Sequence, residues 1–172
     1  MLVRAATAAD VPAMLEIYRP LVEQTAISFE IEPPGVNQFA ERLAHYSAGW
    51  AWLVCEEEGD ILGYAYGSPH RERLAYRWTT ETSAYVATHA RRRGVGRLLY
   101  LALFDALSRR GYCNALAGIA LPNEASIALH QAVGFKLAGI FPSVGYKLGR
   151  WHDVAWFHRT LIDPLPPDAP TL

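Results

Sequence analysis

Four arginines and two glycines in the run Arg91-Arg92-Arg93-Gly94-Val95-Gly96-Arg97 make it the segment of this chain best suited to holding an anion. An alternating apolar pattern ends near Ala87, just before it, and a helical pattern starts at Gly94. The first turn of a helix carries free N–H groups and the positive end of the macrodipole. Gly94 and Gly96 lack side chains, so a bulky diphosphate can approach the backbone, and the arginines add charge-assisted hydrogen bonds. Taken without context, a basic turn with glycines placed for packing reads equally well. A Walker loop is excluded because no Lys-Ser or Lys-Thr follows the glycines, and a Rossmann fingerprint because no glycine cluster follows the first strand.

Other residues could do chemistry around that anion. Arg71 and Arg73 form a pair that could fork a carboxylate, or they are ordinary loop charges. Glu81 stands between Thr80 and Thr82 on a strand pattern, where a solvated carboxylate is the plain expectation. His130 lies on a helix of mixed polarity, where a histidine is more often structural. The six histidines have no metal-ligand spacing and no Gly-x-Ser-x-Gly elbow occurs, so neither metal catalysis nor a serine hydrolase is indicated.

The elements that must position these groups follow from periodicity. Leu2 to Ala5 reads as a strand. Thr7, with Asp10 as the acidic arm of a capping box, opens a helix carrying Val11, Met14, Leu15, Ile17 and Tyr18. Glu32-Pro33-Pro34-Gly35 breaks the chain before a helix over Val36 to Ser47. Ala51 to Glu56 and Ile61 to Gly67 form a hairpin, and Thr79 to Ala87 is a third strand after it. From Gly94 to Arg110 the residues Val95, Leu98, Leu99, Leu101, Ala102, Leu103, Ala106 and Leu107 cover a broad helical face, stopped by Gly111. A strand over Ala115 to Ala120, a helix over Ala125 to Val133 and strands over Lys136 to Phe141 and Asp153 to Leu161 complete a mixed α/β domain. The domain spans residues 1–162, and 163–172 is a proline-rich tail.

The composition is that of a soluble globular chain: 172 residues, 51% hydrophobic and 19% charged. A net charge of −1 offers no bulk attraction to nucleic acid or an anionic membrane. No signal-peptide pattern follows Met1, no apolar run approaches the roughly 20 residues of a membrane span, and Cys55 and Cys113 sit in apolar runs as free thiols. A reducing cytoplasm is the expected compartment.

Arg91-x-x-Gly94-x-Gly96, opening a long helix after a strand, resembles the acetyl-CoA motif of the GNAT superfamily of N-acetyltransferases. Leu121-Pro122-Asn123-Glu124-Ala125-Ser126, Leu129-His130 and Gly134-Phe135 resemble its cofactor-flanking helix. Thr25 to Glu30, Ala75 to Glu81, Tyr85-Val86 and Gly145 to Val154, with its Trp151-His152-Asp153-Val154, are similar to the phosphinothricin and methionine sulfoximine acetyltransferase branch. The resemblance runs from Arg4 to Leu161. It implies a single-domain fold with a mixed, mostly antiparallel central sheet flanked by helices. It also implies acetyl-CoA as co-substrate, with no metal, a small-molecule amine as acceptor, and a homodimer.

Residue by residue, the resemblance implies that Ala84, Tyr85 and Val86 pair with pantetheine, which can add to an open strand edge. Arg92, Arg93, Gly94, Val95, Gly96 and Arg97 would hold the pyrophosphate, and Asn123 the pantetheine arm. Glu81 becomes the general base. The oxyanion donor is expected to be a backbone N–H near Tyr85. Where many members carry a tyrosine acid, Asn123 to Phe135 contain none, which leaves His130 or solvent to protonate the thiolate. Arg71 and Arg73 would take the acceptor's carboxylate, with Phe29, Tyr76 and Trp78 shaping its apolar side. Lys147, Trp151 and His152 would border the pocket or stabilise a dimer. Peptide N-terminal acetylation and a non-enzymatic CoA sensor are the competing functions.

Overall fold

The computed structural model describes residues 1–163, so the proline-rich tail expected over 163–172 lies outside the described residues except for Asp163. Strands β1 (Leu2–Ala5), β2 (Trp52–Glu57), β3 (Asp60–Pro69), β4 (Thr79–Val86), β5 (Asn114–Ala120), β6 (Lys136–Lys147) and β7 (Arg150–Thr160) form one sheet. Their order is β1-β2-β3-β4-β5-β7-β6. Only β4 and β5 run parallel; every other neighbouring pair is antiparallel. Helices α1 (Val11–Gln24) and α2 (Val36–Gly49) cover one face, and α3 (Val95–Arg109) and α4 (Glu124–Ala132) the other.

Alternation explains how the sheet serves two layers. On β3 and β4, Tyr64, Tyr66 and Tyr85 point toward α1 and α2, where Trp52 stacks on Tyr66 at 4.1 Å and Phe39 meets Trp52 edge-on. On the other face Ala115, Ala117 and Ile119 of β5 are buried beneath α3 and α4. The helix over α3 was expected to bury a broad face. Its buried seam is narrower and runs Val95, Gly96, Leu99, Tyr100, Leu103, Phe104, Leu107, while Leu98 and Leu101 are exposed. Tyr100 and Phe104 take the inner positions because the i, i+4 stripe, not hydropathy alone, decides what faces the sheet.

The last two strands are longer than expected. Pro142 and Ser143 interrupt the alternation, but a register shift between Phe141 and Gly145 absorbs them. Ser143 N–H donates to Asp153 Oδ1 at 2.8 Å across that irregularity. The strands then continue to Lys147↔Arg150, joined by Leu148 and Gly149, both at positive φ as a two-residue hairpin turn requires. Both cysteines are buried and free, and burial pushes both thiols up. No helix among the described residues is long and apolar enough to cross a membrane.

Asp10 does open the first helical segment, through a short 3-10 turn (Ala8–Asp10), and its carboxylate accepts the Thr7 N–H at 2.8 Å. The same carboxylate takes both terminal nitrogens of Arg4 at 2.8 Å, and Arg4 also reaches Glu56. Arg4 holds the Asp10 carboxyl down at about 2, against an ordinary 3.8. A depressed carboxylate stabilises the fold above its unfolded value and loses that contribution as pH falls through the window from about 4 to 2. Asp10→Asn should therefore cost about 2 kcal/mol at pH 7 in urea denaturation, and its gap from wild type should shrink through that window and close below about pH 2.

Candidate active site

The β4–β5 ladder is short. It pairs Thr79↔Asn114, Thr80↔Ala115 and Glu81↔Leu116, then stops. At the point of separation Thr82 Oγ1 donates to the Leu116 carbonyl at 3.1 Å. Beyond it the strands stay paired to their outer neighbours, β3 and β7. Ala87 N–H bonds Leu62 O, so by antiparallel alternation the backbone groups of Tyr85 and Ser83 serve β3 while those of Thr82, Ala84 and Val86 face β5. Leu121 N–H bonds Asp153 O, which by the same rule turns Gly118 and Ala120 toward β4. Two unpaired edges thus diverge from Glu81 and Leu116.

This arrangement corrects one expectation. Tyr85 itself points its ring into the core against Tyr18 and Tyr64, and its backbone pairs with Tyr64. The N–H groups offered to the cleft belong to its neighbours, Ala84 and Val86.

At the far end of β4 the chain passes a 3-10 turn (Thr88–Ala90) into the arginine loop. Arg92 and Gly94 adopt positive φ, and a Cβ on Gly94 would meet nothing within 4 Å, so the loop is open to solvent there. Gly96 is small for another reason: a Cβ on it would lie 2.8 Å from Leu129 Cδ2, so it lets α3 pack closely on α4. Arg92 and Arg97 are exposed and make no ion pair among the described residues, while Arg93 is held by Glu57 of β2. Asn123 caps α4, its Oδ1 accepting Ser126 N–H at 3.2 Å, and lines the cleft.

His130 also lines the cleft, beside Tyr100 of α3, Ser126 and Ile27. Its Nδ1 sits 2.7 Å from the Ser126 carbonyl, which can only accept, so Nδ1 carries the proton. Nε2 therefore accepts from Tyr100 O–H at 2.7 Å. Tyr100 is a cleft residue that sequence reading missed: it lies on a different helix from the segment searched for a tyrosine. Burial lowers the His130 pKa and raises that of Tyr100, keeping both neutral.

On the α1 and α2 face, Glu81 is half-buried and sits at the apex of the split. Its Oε1 is 2.8 Å from Nδ1 of His70, a second residue absent from the sequence expectations. The signal was the hairpin register, since Ser68↔Glu81 puts residue 70 just past the end of β3. His70 also lines a cavity of about 380 Å³ together with Arg71, Arg73 and Tyr76. The arginines are exposed and form no ion pair among the described residues. Phe29 is separated from this group: its ring packs over Gly145 and near His152 of the β6–β7 hairpin. Lys147 is buried there, Nζ donating to Ser28 O at 2.6 Å, and so ties to the hairpin the loop that brings Ile27 to the cleft. His152 Nε2 reaches Lys147 O, while Trp151 is exposed beside Tyr146. Among the described residues no group of three His, Cys, Asp or Glu could hold a metal ion.

Because burial favours neutral imidazole, His130 should titrate below 6.5 in an NMR pH series. The unfolded chain then takes up a proton first, so this ring's contribution to stability is intact above 6.5 and is lost as pH falls below it. A midpoint at or above 6.5 would contradict the tautomer and burial described.

The chain matches the Acetyltransferase (GNAT) domain family over residues 3–156. It is 37% identical to the phosphinothricin N-acetyltransferase of Streptomyces viridochromogenes, over 96% of this chain and 90% of that one. It is 37% identical to the L-methionine sulfoximine/L-methionine sulfone acetyltransferase of Salmonella typhimurium, over 98% and 99% of the two chains. A solved GNAT superfamily phosphinothricin acetyltransferase from Sinorhizobium meliloti, in complex with AcCoA, superposes with a TM-score of 0.90 at 35% identity, covering 98% of this chain and 97% of that one. A split parallel pair with an arginine-glycine helix start at one end and a carboxylate at its apex thus stands in a chain that belongs to the GNAT N-acetyltransferases, in the branch that contains the phosphinothricin and methionine sulfoximine enzymes.

Proposed function

We propose that this enzyme transfers the acetyl group of acetyl-CoA directly to the α-amine of a small amino-acid analogue of the phosphinothricin or methionine sulfoximine kind. The carrying observation is the placement of Glu81 at the apex of two unpaired strand edges, beside a cavity that Arg71 and Arg73 line. The residues fit acetyl-CoA. The free backbone groups of Ala84, Val86, Gly118 and Ala120 suit the amides of an extended pantetheine arm. The open Gly94 turn with Arg92 and Arg97 suits a diphosphate, and Asn123 lines the cleft.

Each step follows from these groups. An amino acid's amine is mostly protonated at pH 7, with a pKa of roughly 9 to 10. Glu81 removes a proton from the ammonium, directly or through one water. An N–H from Ala84 or Val86 stabilises the oxyanion as the amine adds to the thioester carbonyl. The nitrogen of the tetrahedral adduct gives its second proton to solvent, and collapse of the adduct breaks the C–S bond and releases the thiolate. For His130 to protonate that thiolate, its proton would have to move from Nδ1 to Nε2 and the Tyr100 hydrogen bond would have to open. Solvent is the simpler donor, and Tyr100–His130 then serves to hold the cleft wall. The arginines that line the cavity hold the acceptor's carboxylate.

A thiol-release assay tests the reading with phosphinothricin, methionine sulfoximine, polyamines and short peptides as acceptors. Turnover of the amino-acid analogues is expected; turnover of peptides alone would sink the substrate assignment. Binding of acetyl-CoA with no turnover on any amine would favour a sensor. Glu81→Gln should lower kcat by roughly 10²- to 10⁴-fold while acetyl-CoA affinity in calorimetry stays unchanged.

We also propose a homodimer through the free edge and outer face of β6. Leu137, Ile140 and Tyr146 of β6, with Trp151 of β7 beside Tyr146, share one face and are all at least half exposed, and Phe141 and Val144 are equally exposed along the same strand. Exposed apolar surface of this kind marks an interface. Sedimentation equilibrium should give twice the 19.1 kDa chain mass, and the pair Val144→Asp and Trp151→Glu should return it to one chain mass.

A further inference from the structure

We infer that His70 is a positioning residue for the base: an imidazole whose Nδ1–H fixes the Glu81 carboxylate. The inference rests on the reading of Glu81 as the general base and adds a partner to it.

Glu81 projects from β4 on the same face as Ser68, its register partner on β3, and β3 ends at Pro69. The next residue, His70, folds back so that Nδ1 lies 2.8 Å from Oε1. The ring is held in place by aromatic contacts from two directions: Tyr76 meets it edge-on at 5.4 Å, and Trp156 of β7 at 6.4 Å. Trp156 reaches across because its partner on β5 is Gly118, over whose Cα the indole lies. The histidine side chain is 14% exposed and the glutamate's 33%. One is fixed by packing and the other is half open, as an anchor and a working group should be.

A glutamate on a strand has three rotatable bonds, and a base must be within hydrogen-bond reach of the proton it takes. With Oε1 occupied by an N–H, Oε2 is left without a partner among the described residues, and the bond restricts the rotamers the side chain can take. An ionised carboxylate can only accept, so Nδ1 must carry the proton. His70 also lines the cavity with Arg71 and Arg73, so the same side chain sets where the carboxylate stands relative to the acceptor's entrance. His70 touches the reaction only through Glu81.

The test compares His70→Phe, which keeps an aromatic ring without the donor, with His70→Asn, whose amide N–H can occupy the place of Nδ1–H. His70→Phe should lower kcat by about 10- to 100-fold with the acetyl-CoA KM changed less than about twofold, and His70→Asn should recover most of the loss. Full activity in His70→Phe, or equal loss in both variants at unchanged Tm, would overturn the inference. If His70→Phe fails to fold, ¹⁵N NMR of the wild type decides: Nδ1 protonated and sensitive to Glu81→Gln supports it, and Nδ1 unprotonated overturns it. Should Glu81→Gln itself retain activity, the base reading fails first. If Glu81→Gln is dead while His70→Phe is unimpaired, only the positioning role falls.

Discussion

The separation of β4 from β5 after Glu81 and Leu116 is the constraint on which the rest of the molecule depends. A parallel pair in the middle of a sheet would ordinarily continue its ladder, because unpaired backbone groups in a protein interior are costly. Here the Thr82 hydroxyl takes the Leu116 carbonyl, and β3 and β7 keep their own hydrogen bonds to each strand. Neither strand can swing inward without breaking an intact outer ladder. The cleft therefore persists as two sets of donors and acceptors waiting for a third extended chain.

What surrounds the split follows from its geometry. The apex lies at the last paired residues, so a carboxylate at position 81 meets whatever is delivered along the cleft. The helix following β4 begins at the other end, which puts its free N–H groups and the arginines at the site proposed for a diphosphate. Close packing of α3 on α4 through Gly96 and Leu129 sets the position of α4, and Asn123, Ser126 and His130 enter the cleft from it. On the opposite face, Lys147 fastens the Thr25–Glu30 loop to the β6–β7 hairpin. Buried and paired with a single carbonyl, it has its pKa lowered by desolvation, so the fold spends a charged side chain on placing that loop.

The two faces of the sheet differ in electrostatic character. Toward α3 and α4 the groups are neutral: Tyr100, His130, Thr82 and backbone. Toward the acceptor side stand Glu81, His70, Arg71 and Arg73. The proposed transfer would use this division, since a neutral environment suits a thioester and its leaving sulfur while charge would serve to bind and deprotonate a zwitterion.

Much of this was legible in the chain. The order of elements, the helix stops at Gly111 and Gly134, the arginine–glycine helix start and the acidic strand residue all show in local periodicity and turn chemistry, because those depend on neighbours within a few positions. The length of β6 and β7 was not, since Pro142 and Ser143 break the alternation and only a register shift against β7 reveals continuity. Residue identities alone also proposed a phosphate role for Gly96 and an oxyanion role near Tyr85. Helix packing puts Gly96 at an interhelical contact, and strand pairing turns the backbone of Ala84 and Val86, not that of Tyr85, toward the cleft. Tyr100 and His70 became visible only in three dimensions, as did the placement of Phe29 on the hairpin. Their partners stand thirty, eleven and more than a hundred residues away. The sequence by itself determined which chemical groups were available and on which kinds of element they stood. Only the tertiary structure decided which of them meet, because contacts across a sheet are set by register and crossover, and no local pattern encodes those.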